Sequence, residues 1–232
     1  IILNFMTQKL TILFDLDGTL VDTAPDLVLA HNHVMTKFGF PTKSPSEIKA
    51  LVGMGARTMM GRTLWSYAKS ELKSIKEKNI KEKMVKEFIK FYGNNILVES
   101  KLITGAKDFL VWCKKNKISM GVCTNKQEHL AVDLLKKIGI NSYFEYVAGS
   151  DTFNFCKPDA RHLTNVVEIM DGDIKKSIMI GDSEVDGKSA ENASMPFILL
   201  EDGYTDVKVS EIKYDHLVKN FVDLEKIIKK YL

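Results

Sequence analysis

The chain has 232 residues, which suits one large α/β domain or a domain carrying a smaller insert. Apolar residues make up 45% and charged ones 27%, enough for a sizeable core and incompatible with a disordered chain. A formal charge of +3 carried on scattered lysines argues against a nucleic-acid partner, and no apolar run approaches transmembrane length, so no membrane partner is expected.

Taken in chain order, the opening Ile1–Met6 lacks a basic flank and is too short for a signal peptide; Met6 is a candidate start. The run Leu10–Phe14 predicts a first strand. From about 23 to 95 the pattern is helical only. Thr23 is placed to cap the first of these helices, with Pro25 in its opening turn. Leu72, Ile75, Met84, Phe88 and Phe91 then recur at helical spacing among lysines and glutamates. From about residue 100 the rhythm changes. Apolar runs at Ile118–Cys123, Tyr146–Ala148, Ser177–Ile180 and Phe197–Leu200 alternate with helical patterns at 105–116, 127–138, 159–170 and 184–193, and a last one covers 221–231. This alternation predicts an α/β fold, a doubly wound parallel sheet with helices on both faces and a helical domain inserted after the first strand. The expected division is a core of residues 1–21 and 100–232 and a helical insert of 22–99, joined near Val21–Ala24 and Asn94–Thr104.

The cysteines, Cys113, Cys123 and Cys156, are odd in number and form no C-x-x-C pair. Neither a disulfide framework nor a zinc site is expected, and a reducing cytoplasm fits.

The strongest chemical signal is Asp15-Leu16-Asp17-Gly18-Thr19, directly after the first strand. Ligands of open parallel sheets bind beyond the carboxyl ends of strands. Two carboxylates there make a hard oxygen site suited to Mg²⁺, and Gly18 lets the chain turn sharply. The plain alternative is a polar turn, yet four specified residues in this order arise by chance in roughly 1 in 1,000 chains of this size. Three weaker signals follow later strands. Thr124 and Asn125 offer a hydroxyl and an amide to phosphate oxygens, although a Thr-Asn pair commonly caps a helix. Lys157, before Pro158 and Asp159, is a cation that would otherwise be solvated. Asp182 and Asp186, four residues apart at a helix start, either complement its dipole or complete a metal site.

Together these residues resemble the haloacid dehalogenase superfamily, over the whole chain and with all four of its motifs in order. Within it the chain is similar to the phosphoglycolate phosphatase group, through Val52-Gly53-Met54-Gly55-Ala56-Arg57, Gly149-Ser150-Asp151-Thr152 and Gly203-Tyr204. The resemblance implies a Rossmann-like core with a helical cap, and an Mg²⁺-dependent phosphatase acting on a small phosphorylated metabolite, 2-phosphoglycolate first. It implies Asp15 as nucleophile and Asp17 as general acid and base. Asp15, Asp182 and the backbone carbonyl of Asp17 would bind the metal, with Asp186 in support. Thr124, Asn125 and Lys157 would hold the phosphoryl group, and Thr19 would orient the loop. Arg57 is the candidate partner for the substrate's carboxylate, against the alternative of a surface salt bridge. A monomer or homodimer is expected. A sugar phosphomutase would use the same acids, but those relatives carry a Lys-Gly-x-Ser-Arg pattern where this chain has Val52–Arg57.

Overall fold

The computed structural model describes residues 9–67, 75–205 and 207–232. Residues Ile1–Met6 and Leu72, and the side chain of Ile75, lie outside what is described. The chain enters through β1 (Thr11–Phe14), every residue of which is buried. It leaves by a tight turn into the short strand β2 (Val21–Asp22). Among the described residues, four helices come next: α1 (Ala24–Lys37), α2 (Pro45–Lys49), α3 (Ala56–Tyr67) and α4 (Ile75–Asn94). Met84 and Phe88 of α4 are buried and Phe91 packs against the same core, as helical spacing predicts. The chain returns through β3 (Lys101–Leu102), which pairs antiparallel with β2, Val21 against Leu102 and Asp22 against Lys101. The sequence pattern did not signal this ribbon, because two-residue strands show no alternation.

The rest alternates as expected. α5 (Ala106–Lys115), β4 (Ser119–Cys123), α6 (Glu128–Lys137) and β5 (Tyr146–Ala148) build one side of the sheet. α7 (Ala160–Ile169) crosses to β6 (Ser177–Gly181), followed by α8 (Glu184–Asn192) and β7 (Phe197–Leu200). An edge strand absent from the sequence reading, β8 (His216–Val218), and the helix α9 (Phe221–Ile228) complete the chain. The six-stranded sheet runs β5-β4-β1-β6-β7-β8, and all its pairings are parallel.

Two features of this order position the site. β1 is central, and the chain builds outward from it on one side before crossing to β6 on the other, so a crevice opens at its carboxyl end. The register also aligns three strand ends: Phe14 is level with Val122 of β4 and with Ile180 of β6. Asp15, Thr124 and Asp182, one or two residues further on, therefore leave the sheet along one edge.

Thr23 stands at the N-terminus of α1 with proline in the first turn, but its hydroxyl makes no capping bond to the helix. It donates instead to Asp17 Oδ1 at 2.6 Å. The carboxylate of Asp26, in the first turn of α1, anchors the returning chain. It accepts from the backbone N–H groups of Val98, Glu99 and Ser100 at 3.0, 2.9 and 3.0 Å and from the Ser100 hydroxyl at 2.6 Å. Both connections between the sheet and the four helices are tied together in this way.

Candidate active site

Asp15 directly follows β1, its N–H donating to Ile180 O at 2.9 Å. The turn that follows requires glycine. Gly18 has φ of 83°, and a Cβ there would collide with the Asp182 carboxylate and the ring of Tyr204. Leu16 O accepts from both Leu20 and Val21, which closes the turn. Thr19 is wholly buried and donates to Asp182 Oδ1 at 2.8 Å, while Tyr204 N–H donates to Asp182 Oδ2 at 2.7 Å. Asp182 is thus aimed from two directions, and Gly203 makes room for it.

Lys157 bridges the acids. Its Nζ lies 2.7 Å from Asp15 Oδ1 and 2.6 Å from Asp186 Oδ1. The other oxygen of Asp186 accepts from Ser183 N–H and Oγ at 3.1 and 2.6 Å, completing a reciprocal cap at the start of α8. Asp186 therefore both caps the helix and holds the lysine. Burial pushes Asp15 up to about 7, against the pull of Lys157 and with Asp186 and Asp17 adding to the rise. Burial, then Asp15 and Asp186, raises Asp182 well above the usual carboxylate range. Lys157 is raised: burial opposes its charge, but Asp15 and Asp186 outweigh that cost.

Asp15, Asp182 and Asp186 each offer a carboxylate oxygen, all within 4.8 Å of one another. Three buried acids against one shared ammonium leave an excess of negative charge, and carboxylate oxygens are hard donors. That set fits a hard divalent cation. The carboxylate of Asp17 points away from the cluster, toward the helices.

In front of these acids lies a cleft of about 530 Å³, lined from the helical side by Gly53, Gly55, Arg57 and Tyr92 and from the sheet side by Asp17, Thr124 and Lys126. Gly53 and Gly55 have φ of 86° and 77°, and a Cβ on Gly55 would lie 3.0 Å from Asn125 O. The glycines thus let the loop before α3 lie backbone to backbone on the loop after β4. Asn125 fastens that approach: its amide donates to Gly53 O at 3.1 Å and to Lys157 O at 3.2 Å. Both N–H groups of its amide are directed at backbone carbonyls in this arrangement. Thr124 is buried beside it, its hydroxyl accepting from Lys126 N–H at 3.2 Å.

Arg57 lines the cleft from an exposed position. Its guanidinium forms a two-pronged pair with Glu82, one arm at 3.0 Å, and its side chain is 65% exposed. The surface salt bridge weighed as its alternative is the arrangement present. A buried cation beside the site that the sequence did not single out is Lys126. Its Nζ donates to both oxygens of Asp17, at 2.7 and 2.9 Å, and lies 4.6 Å from the centre of the Tyr92 ring. One lysine among many carries no sequence signal; only its place after Thr124-Asn125 pointed toward the site.

The profile of the haloacid dehalogenase-like hydrolases matches residues 12–200, which span all the acids described. The chain belongs to this family. Like its relatives among the haloacid dehalogenase-like hydrolases it is a phosphatase by type. A phosphoglycolate phosphatase from Agrobacterium fabrum is 40% identical over 223 residues, covering 94% of each chain. A crystal structure of a predicted phosphoglycolate phosphatase from Haemophilus somnus superposes with a TM-score of 0.87 at 28% identity, over 96% of this chain and 99% of the other. A β-phosphoglucomutase from Clostridium difficile, 21% identical with a TM-score of 0.77 over 96% of this chain and 97% of its own, shares the fold alone. Among the described residues, no helix is long and apolar enough to cross a membrane.

Proposed function

We propose that this haloacid dehalogenase-like hydrolase is an Mg²⁺-dependent phosphomonoesterase for a small phosphorylated carboxylic acid, 2-phosphoglycolate first, acting through a phospho-aspartate on Asp15. The observation that carries the reading is the closed group of Asp15, Lys157, Asp182 and Asp186 behind the cleft. The 2-phosphoglycolate assignment draws on the named relatives.

Asp15 and Asp182, with the backbone carbonyl of Asp17, would hold the Mg²⁺, and Asp186 would support them. When bound, the ion offsets the repulsion between an anionic nucleophile and an anionic phosphoryl group and stabilises charge in the transition state. Asp15 Oδ attacks phosphorus and forms a P–O bond as the ester P–O bond breaks. Asp17 delivers a proton to the departing oxygen. Water then attacks phosphorus and gives its proton to Asp17. The aspartyl P–O bond breaks, releasing inorganic phosphate and regenerating Asp15. Lys157 neutralises charge beside Asp15 throughout, and Thr124 closes the phosphoryl side. The helices over the cleft limit bulk water at the acyl phosphate.

The test is phosphate release from 2-phosphoglycolate in Mg²⁺, in EDTA and after Mg²⁺ is restored, beside Asp15→Asn. Activity should vanish in EDTA and return with Mg²⁺, and the near-isosteric Asp15→Asn should be folded and inert. Turnover by rigorously metal-free protein, or by Asp15→Asn with deamidation excluded, contradicts the mechanism. Transfer of phosphate to a sugar without release would favour a mutase.

A further inference from the structure

The carboxylate carbon of a glycolate leaving group sits two bonds from the oxygen that leaves phosphorus, roughly 2.5 Å away by covalent geometry. Whatever recognises that carboxylate must adjoin the group that protonates the leaving oxygen. In the reading above that group is Asp17. Arg57 does not meet the condition: its guanidinium is committed to Glu82 at the exposed rim. Lys126 does. It lines the same cleft, its Nζ is within 2.9 Å of both Asp17 oxygens, and its side chain is only 5% exposed. The face of Tyr92 lies beneath the ammonium, which further confines it.

An ammonium is expensive to bury unless an anion accompanies it. Of the cations lining the cleft, Lys126 alone among the described residues is buried; Arg57 and Lys86 are exposed. We propose that Lys126 is the receptor for the carboxylate of the substrate, an assignment that rests on the phosphatase reading of this site. An ammonium has three donors. Two of the directions around Lys126 are taken by the oxygens of one carboxylate, that of Asp17. A carboxylate arriving on the leaving group competes for them, and Lys126 can join the two acids through separate N–H groups. Asp17 is then loosened from its two-pronged grip and remains tethered by the Thr23 hydroxyl at 2.6 Å. An ester with a neutral leaving group makes no such exchange. Selectivity for carboxylate-bearing esters would follow from a residue of the sheet domain that also touches the helical insert through Tyr92.

The experiment compares 2-phosphoglycolate with 2-phosphoglycolamide, which has the same ester and nearly the same shape but lacks the second anion. Steady-state kcat/KM is measured for both with Mg²⁺, in the native enzyme, Lys126→Met, Lys126→Arg and Arg57→Met. The native enzyme should prefer the acid by roughly 100-fold, the scale of losing one partner of a buried charged pair. Lys126→Met should bring the ratio to within about 3-fold, whatever it does to the two rates, because an uncharged thioether distinguishes acid from amide poorly. Lys126→Arg should retain most of the preference, and Arg57→Met all of it. A native enzyme that hydrolyses acid and amide alike overturns the assignment and leaves the phosphatase standing. So does an unchanged ratio in Lys126→Met, or collapse of the ratio in Arg57→Met instead. If Lys126→Met fails to fold, the native ratio and Lys126→Arg decide. A native enzyme that hydrolyses neither ester removes the phosphatase reading itself.

Discussion

Lys157 is held between two carboxylates, yet the two do different work. Asp15 follows the central strand, whereas Asp186 is wholly buried and also caps α8. Replacing Asp186 by asparagine keeps an acceptor for Ser183 but removes the charge that fixes the ammonium. We expect Asp186→Asn to lower kcat/KM by about 10–100-fold, the usual cost of disturbing a supporting residue of a metal or catalytic group. Its melting temperature should stay close to native. Rates equal to native, with a lowered melting temperature, would show a cap and nothing more. At this scale the acids were legible in the sequence because Asp15-x-Asp17-Gly18-Thr19 is dense and ordered. The partners of those acids were not. Thr23 looks like a helix cap and donates to Asp17; Asn125 looks like a phosphate ligand and fastens Gly53 to Lys157. Short polar side chains satisfy whichever buried group lies nearest, and that depends on packing.

The helices between the first two main strands are anchored by a single carboxylate. Asp26 is 1% exposed and meets three consecutive backbone N–H groups and one hydroxyl of the returning segment. Asp26→Ala leaves the two buried donors of Ser100 without a partner, at about 1–3 kcal/mol each, and frees the part-buried N–H groups of Val98 and Glu99 at a smaller cost. Urea unfolding should therefore show a loss of at least about 3 kcal/mol. Asp26→Asn, which retains one acceptor oxygen, should lose less. A loss below about 1 kcal/mol in Asp26→Ala would mean that water replaces the carboxylate at no net cost. No local pattern marks Asp26, since an acid in the first turn of a helix is unremarkable by itself. The helices and the five main strands, by contrast, followed from periodicity, because each presents a long apolar face. β2 and β3 escaped notice because they are two residues long, too short for a repeat to appear, and β8 because its short run opens on a histidine and buries only Val218.

At the scale of the whole molecule, the buried acids make stability depend on pH and metal together. Asp15 is raised to about 7 and Asp182 is raised well above its usual value, so the folded state binds protons that the unfolded chain releases near pH 4. Their contribution is present at low pH and is lost as pH rises through about 7 for Asp15. His162 works oppositely. Burial, with Lys157 nearby, lowers it to about 4, so stability falls as pH drops from the ordinary 6.5 toward that value. Above 6.5 the histidine is neutral in both states and the acids set the slope, with the buried thiols of Cys113 and Cys123, raised by burial, adding to it in the same direction as pH approaches 8. In EDTA the melting temperature should decline from pH 6.5 to 8, and Mg²⁺ should remove the decline by binding the deprotonated acids. Thermal melts at matched ionic strength check this; an Mg²⁺ effect that shrinks as pH rises would contradict the proposed ligand set.

The chain order of the main strands, the presence of a helical insert and the placing of Asp15, Asp17, Lys157 and Asp182 after predicted strands were legible in the sequence alone. Each is written in local periodicity or in a compact motif at a strand end, and neither needs knowledge of what lies opposite. Only the tertiary structure decided which cation meets which acid. Lys157 lies 142 positions from Asp15, and Lys126 lies 109 from Asp17. Such pairs exist because the parallel register brings the ends of β1, β4 and β6 level and the segment between β5 and α7 returns Lys157 to the end of β1. Charge carries no address along a chain. It acquires one when burial makes an unpaired ion too costly to leave where it is.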